Sequence, residues 1–124
     1  LITAPDSIAI IDGALCRLTR FGDQAVRHNP LALSVAEFRQ GPMCFYVREH
    51  PFGLLPGLPN LYCLDGAFRL QWMAEWPHAT DPCARILDQQ GDTLVLESTR
   101  GLVIRLNAHT GALIDVQEPM AATG

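Results

Sequence analysis

Residues Asn60 to Trp72, Asn-Leu-Tyr-Cys-Leu-Asp-Gly-Ala-Phe-Arg-Leu-Gln-Trp, read as a strand, a tight turn and a second strand, and a variant returns at Val103 to Ile114. Asp65-Gly66-Ala67 supplies turn chemistry that permits positive φ. From Phe68 to Trp76 the pattern alternates: Phe68, Leu70, Trp72, Ala74 and Trp76 are expected on one face, and Arg69, Gln71, Met73 and Glu75 on the other. Period two over that length specifies a half-buried strand. The amino end repeats the arrangement, with Ser7 to Ile11 meeting Leu15 to Phe21 through Asp12-Gly13. At the carboxyl end Leu102 to Leu106 meets Ala112 to Val116 through Asn107 to Gly111. Asp12, Asp65 and Asn107 thus mark three hairpins.

Further strands are expected at Met43 to Arg48, Ala84 to Leu87 and Thr93 to Ser98. Leu31 to Phe38 carries two signals, since Leu31, Leu33 and Val35 alternate like a strand while Ser34-Val-Ala-Glu37 fits a helical capping box. Elsewhere no long helical period occurs, and turns fall about every 8 to 12 residues. The expected fold is a single all-β domain over residues 1–124, an antiparallel meander of propeller-blade-like hairpins. It comprises two four-stranded sheets plus an N-terminal hairpin, arranged as an incomplete propeller or a sandwich.

Leu64-Asp65 with Trp72, and Leu106-Asn107-Ala108-His109-Thr110-Gly111, resemble the repeat of quinoprotein-type (PQQ-enzyme) β-propellers. That repeat carries a strand ending in Leu-Asp, a Thr-Gly turn and a strand closing on Trp. The resemblance spans about 30 residues in two stretches and implies blade-like sheets; it does not imply the cofactor, and no cofactor is expected. A complete propeller needs at least four blades.

The 124 residues hold nine arginines and no lysine, which removes Schiff-base chemistry and lysine general bases. An Arg-only, Leu- and Ala-rich composition is what a GC-rich bacterial genome produces. With a net charge of −4 and scattered arginines, neither nucleic acid nor an anionic membrane is an expected partner. No apolar run approaches the ~20 residues of a membrane span. Cys16, Cys44, Cys63 and Cys83 form no C-x-x-C pair, so free, mostly buried thiols in a reducing cytoplasm are expected, with no metal site.

His28, His50, His78 and His109 fall in expected loops, widely separated, and read as exposed. A Ser98, His109 and Asp115 triad can be drawn, but Ser98 has no nucleophile elbow. Asp65, Glu75, Asp81, Asp88 and Asp92 are the carboxylates from which an acid-base pair could come. The stretch Pro51-Phe-Gly-Leu-Leu-Pro-Gly-Leu-Pro59 instead places Phe52, Leu54, Leu55 and Leu58 in a loop that its prolines keep from regular structure. Such a loop either plugs an open sheet end or meets a partner, with Trp76 bordering the same surface. The function expected is a non-catalytic binding or structural module contacting a protein partner or a second copy of itself, through Phe52, Leu54, Leu55, Leu58 and Trp76. The alternative is a small hydrolase using a carboxylate pair.

Overall fold

A computed structural model describes residues 7–51 and 58–118; Phe52, Leu54 and Leu55 lie outside the described residues. The described chain is all-β, with eleven antiparallel strands in three sheets and none closed into a barrel. The first sheet holds β1 (Ser7–Ile11), β2 (Ala14–Leu18) and β3 (Gln24–His28). The second holds β4 (Val35–Gln40), β5 (Cys44–Glu49), β6 (Leu61–Asp65) and β7 (Leu70–Met73). The third holds β8 (Cys83–Gln90), β9 (Thr93–Ser98), β10 (Val103–Asn107) and β11 (Leu113–Gln117). Within each sheet, chain order is spatial order.

The two four-stranded sheets match the expectation, and the N-terminal hairpin gains a third strand, β3. Its residues Gln24 to Arg27 are exposed, so apolar patterning gave no sign of it. Residues 31–38 are neither helix nor continuous strand. The amides of Leu31, Ala32 and Leu33 turn inward onto the Glu49 carboxylate, at 2.7, 3.0 and 3.1 Å, and the strand begins only at Val35. Glu37 serves no capping box; it accepts from Arg48 and from the Ile86 amide.

The sheets stack in layers, and the middle one is buried on both faces. Tyr46, Leu61, Cys63, Trp72 and Ala74 pack against Cys83, Ile86, Leu94, Leu96, Ile104 and Leu106 of the third sheet. Phe45, Val47, Tyr62, Leu64 and Phe68 pack toward Leu15 and Ile8 of the first. At the sheet's edge residues 68–76 are half-buried, as expected, but the strand there spans only Leu70–Met73. Trp72 and Ala74 are buried as expected, but Phe68 sits in the turn with φ +64° and enters the other core, and Leu70 remains 48% exposed. The outer face of the third sheet carries the cross-strand pairs Arg85–Glu97 and Arg105–Asp115, with Val95 and Val103 in register between them.

The recurrence is also placed differently. Asp12-Gly13, with φ +50° and +76°, closes a two-residue hairpin between β1 and β2. The counterpart of Asp65 in the first sheet is Thr19, in the turn from β2 to β3. Thr19 Oγ1 accepts from the amides two and four residues on, at Phe21 and Asp23, as Asp65 Oδ1 does from Ala67 and Arg69. The residue three places on has positive φ in both, Gly22 at +87° and Phe68 at +64°. In the third sheet Asn107 Oδ1 accepts from His109 and Thr110, and the left-handed position falls one residue later, at Gly111. Thr19, Asp65 and Asn107 are therefore the repeating members.

Candidate functional site

Two regions stand out, at opposite rims of the stack. At one rim the second and third strands of the middle sheet, β5 and β6, are joined by residues 50–60. The corresponding strands are joined by Asp12-Gly13 alone in the first sheet and by residues 99–102 in the third. The repeating unit thus closes with two to four residues, and the middle sheet inserts a much longer, proline-rich stretch at the same place.

The feet of this insertion are clamped by buried polar side chains. Asn60 Nδ2 donates to the Glu49 and Cys83 carbonyls at 2.9 and 2.8 Å, and its Oδ1 accepts the Cys83 amide at 3.0 Å. Glu49, 1% exposed, accepts the three amides of 31–33 and the Tyr62 hydroxyl at 2.5 Å, while His28 Nε2 meets the same hydroxyl at 2.7 Å. Burial alone works to raise the Glu49 pKa. The Tyr62 hydroxyl and the three amides outweigh it and hold the carboxyl below its ordinary value. Burial lowers the His28 pKa, partly opposed by the Glu49 charge. His28 therefore differs from the exposed loop histidine expected; it lies in β3, half-buried, in a network that ties the first sheet to the second.

Of the expected partner-contacting residues within the described chain, Leu58 is half-buried at the foot of the insertion. Trp76 packs against the core between the second and third sheets and donates its indole N–H to the Asp81 carbonyl at 2.7 Å.

At the opposite rim a cleft of about 350 Å³ opens between the second and third sheets. Its walls include Tyr46 and Trp72, with Cys44 and Cys63 between them and Met43, 86% exposed, at its edge. Gly41 packs directly against two of these side chains, because a Cβ there would sit 2.7 Å from Cys44 Sγ and 2.9 Å from Tyr46 Cε2. All four cysteines are free thiols. Burial pushes the Cys63 thiol up to about 12, and the neighbouring Cys44 adds to the shift. Sequence reasoning passed over this pair because eighteen intervening residues hide a diagonal relation between paired strands.

The drawn triad does not assemble. Ser98 Oγ is buried and accepts the Leu102 amide, His109 pairs with Asp92 at 2.7 Å, and Asp115 pairs with Arg105. The candidate carboxylates each hold a separate structural contact: Asp65 its turn, Glu75 the Leu113 amide, Asp88 the Arg39 guanidinium, and Asp92 the His109 ring. Asp81 Oδ1 accepts from the Thr99 hydroxyl and the Arg100 amide at 2.6 and 2.9 Å, while Oδ2 lies buried without a well-formed hydrogen bond. Burial raises the Asp81 pKa less than the Ser98 and Thr99 hydroxyls and the Arg100 amide lower it, so it is held as a carboxylate. Among the described residues no group of three His, Cys, Asp or Glu side chains is placed to hold a metal ion, and no helix is long and apolar enough to cross a membrane.

No protein-family model matches the chain, and no curated protein matches it. A crystal structure of the computationally designed Ika8 protein is similar in fold, with a TM-score of 0.66 at 12% identity. The similarity covers 92% of this chain and 33% of that one, so this chain spans about a third of the length of the structure it matches.

Proposed function

We propose that the chain is a non-catalytic, blade-like binding module that engages a protein partner through the insertion at residues 50–60. The observation that carries this reading is the disparity in connections: the same strand-to-strand step takes two residues in one sheet and four in another. Chain beyond that need serves something other than closing the sheet, and long loops on rigid scaffolds are where binding resides. Phe52, Leu54, Leu55 and Leu58 supply apolar contact area, and the Asn60 and Glu49 clamps fix the two feet of the insertion. Ordering the feet in advance lowers the entropy lost on docking. The propeller resemblance fits the layered four-stranded sheets. A cytoplasmic location fits the free thiols.

The test replaces residues 50–59 by a two-residue Asn-Gly turn, leaving the Glu49 and Asn60 clamps in place, and compares the variant with the full chain. Light scattering reads self-association, and cross-linking followed by mass spectrometry reads partner contacts. Both contacts are expected to vanish while the β-rich circular dichroism spectrum persists. Unchanged association in the shortened variant overturns the reading.

The alternative, hydrolysis by a carboxylate pair, has its nearest arrangement in a polar cavity of about 320 Å³ lined by His78, Asp81, Arg100 and Glu118. Asp81 is 1% exposed and committed to the 99–100 turn, a poor position for touching substrate. Asp81→Asn is expected to lower stability; loss of a hydrolytic activity with stability retained would favour the enzyme.

A further inference from the structure

We propose that the cleft between the second and third sheets binds a soft monovalent metal ion of the Cu(I) class through the sulfurs of Cys44 and Cys63. In the register of β5 and β6, Cys44 lies opposite Asp65 and Cys63 opposite Tyr46. The two cysteines are therefore diagonal neighbours on one face of a strand pair, and both line the same cavity.

Diagonal cross-strand positions lie roughly 7–8 Å apart, with Cβ atoms somewhat closer. A disulfide requires Cβ atoms about 3.8 Å apart, so this pair is poorly placed for oxidation. An ion held linearly between two thiolates, each bond about 2.3 Å as in zinc thiolate sites, separates the sulfurs by twice that length and suits the wider spacing. Both thiols are free and line one cavity, so both sulfurs are available to a single ion.

Ligand chemistry narrows the ion further. Zinc takes four ligands in structural sites and at least three protein ligands in catalytic ones. No cluster of three such side chains occurs among the described residues. A d10 monovalent ion is satisfied by two thiolates, and thiolate and thioether donors select it by softness. Met43 places a thioether at the edge of the same cleft, with its large apolar side chain left in water unless something there recruits it.

Binding is written as two thiols and one M⁺ giving a thiolate–metal–thiolate anion and two protons released to solvent, with no change in oxidation state. Tyr46 and Trp72 form walls that limit water around the sulfurs. This site is independent of the insertion at the other rim.

The test titrates the full chain, without oxygen and with ascorbate as reductant, against Cu(I) held by bicinchoninate. Wild type is expected to withdraw one equivalent, with X-ray absorption showing a shell of two or three sulfurs. Cys44→Ser and Cys63→Ser are each expected to weaken binding by more than the ~10–100-fold lost when groups supporting a metal's ligands are removed. Cys16→Ser and Cys83→Ser should bind as wild type. Should Cys63→Ser fail to fold, Cys44→Ser at the partly exposed position reads the site alone, with its melting curve as the control. Failure to compete with the chelator, retention of binding in the Cys44→Ser, Cys63→Ser double variant, or a shell of nitrogen and oxygen overturns the proposal.

Discussion

Trp72 and Gly111 fit each other so closely that neither tolerates replacement. A Cβ at residue 111 would sit 2.4 Å from Trp72 Cε3, and the position also has φ +75°. Gly22 has φ +87° and no heavy atom within 4 Å of its hypothetical Cβ. Gly22→Ala is expected to lose about 1–2 kcal/mol, the left-handed penalty alone. Gly111→Ala should lose clearly more, and equal losses in denaturant melts would show that the Trp72 contact is not formed. Trp72→Ala should lose about 3–5 kcal/mol. Arg69→Ala, on an exposed side chain, should lose well under 1 kcal/mol, and matched losses at 69 and 72 contradict the register.

Glu49 and His28 give acid unfolding a defined course. Both have pKa values below their ordinary ones in the folded chain, so unfolding takes up protons and stability falls with falling pH. The His28 contribution is whole above its unfolded value of about 6.5 and drains as pH falls through its lower folded value. The Glu49 contribution is whole above about 4.5 and drains below it. Melting temperature is expected to decline from near neutrality and again in the acid range. His28→Gln should remove the first decline and leave the second; a profile identical to wild type refutes the assignment.

Strands were legible in the sequence where one face alternates strictly or where a glycine-containing turn bounds an apolar run. Asp12-Gly13 and the run Thr93 to Ser98 are of this kind. β3 was not legible, since its Gln, Ala, Val, Arg and His residues lie at an exposed edge. Phe68 misled for a different reason: a large aromatic at positive φ counts as a strand residue in any periodicity, yet here it occupies a turn position that Gly fills in the first sheet. The shared turns carry their own prediction. Asn107→Ala removes the acceptor for two amides and is expected to lose about 1–3 kcal/mol if those amides stay unpaired. Asn107→Asp, which keeps the acceptor, should restore most of it in thermal melts.

Across the whole molecule, a sheet covered on both faces explains why patterning gave the elements more readily than the site. The Pro51–Pro59 stretch announced itself by composition. The cleft did not, because its walls come from turns and strands distant in sequence that only stacking brings together. Thiol reactivity reports that stacking directly. Cys44 is the partly exposed thiol, and Cys16, Cys63 and Cys83 are buried. In the native protein one thiol is expected to react rapidly with an aromatic disulfide reagent, and four after denaturation. Rapid reaction of three or more native thiols would mean that the layers are open.

The disparate connections between second and third strands have a consequence for adaptability. The hydrogen bonds that close each sheet end at Ile11–Ala14, Glu49–Asn60 and Ser98–Leu102, so connection length can change without disturbing a ladder. Selection, or a designer, can therefore rewrite that rim one segment at a time. At the 99–102 span such rewriting has to keep Thr99 and Arg100, whose hydroxyl and amide the buried Asp81 carboxylate accepts.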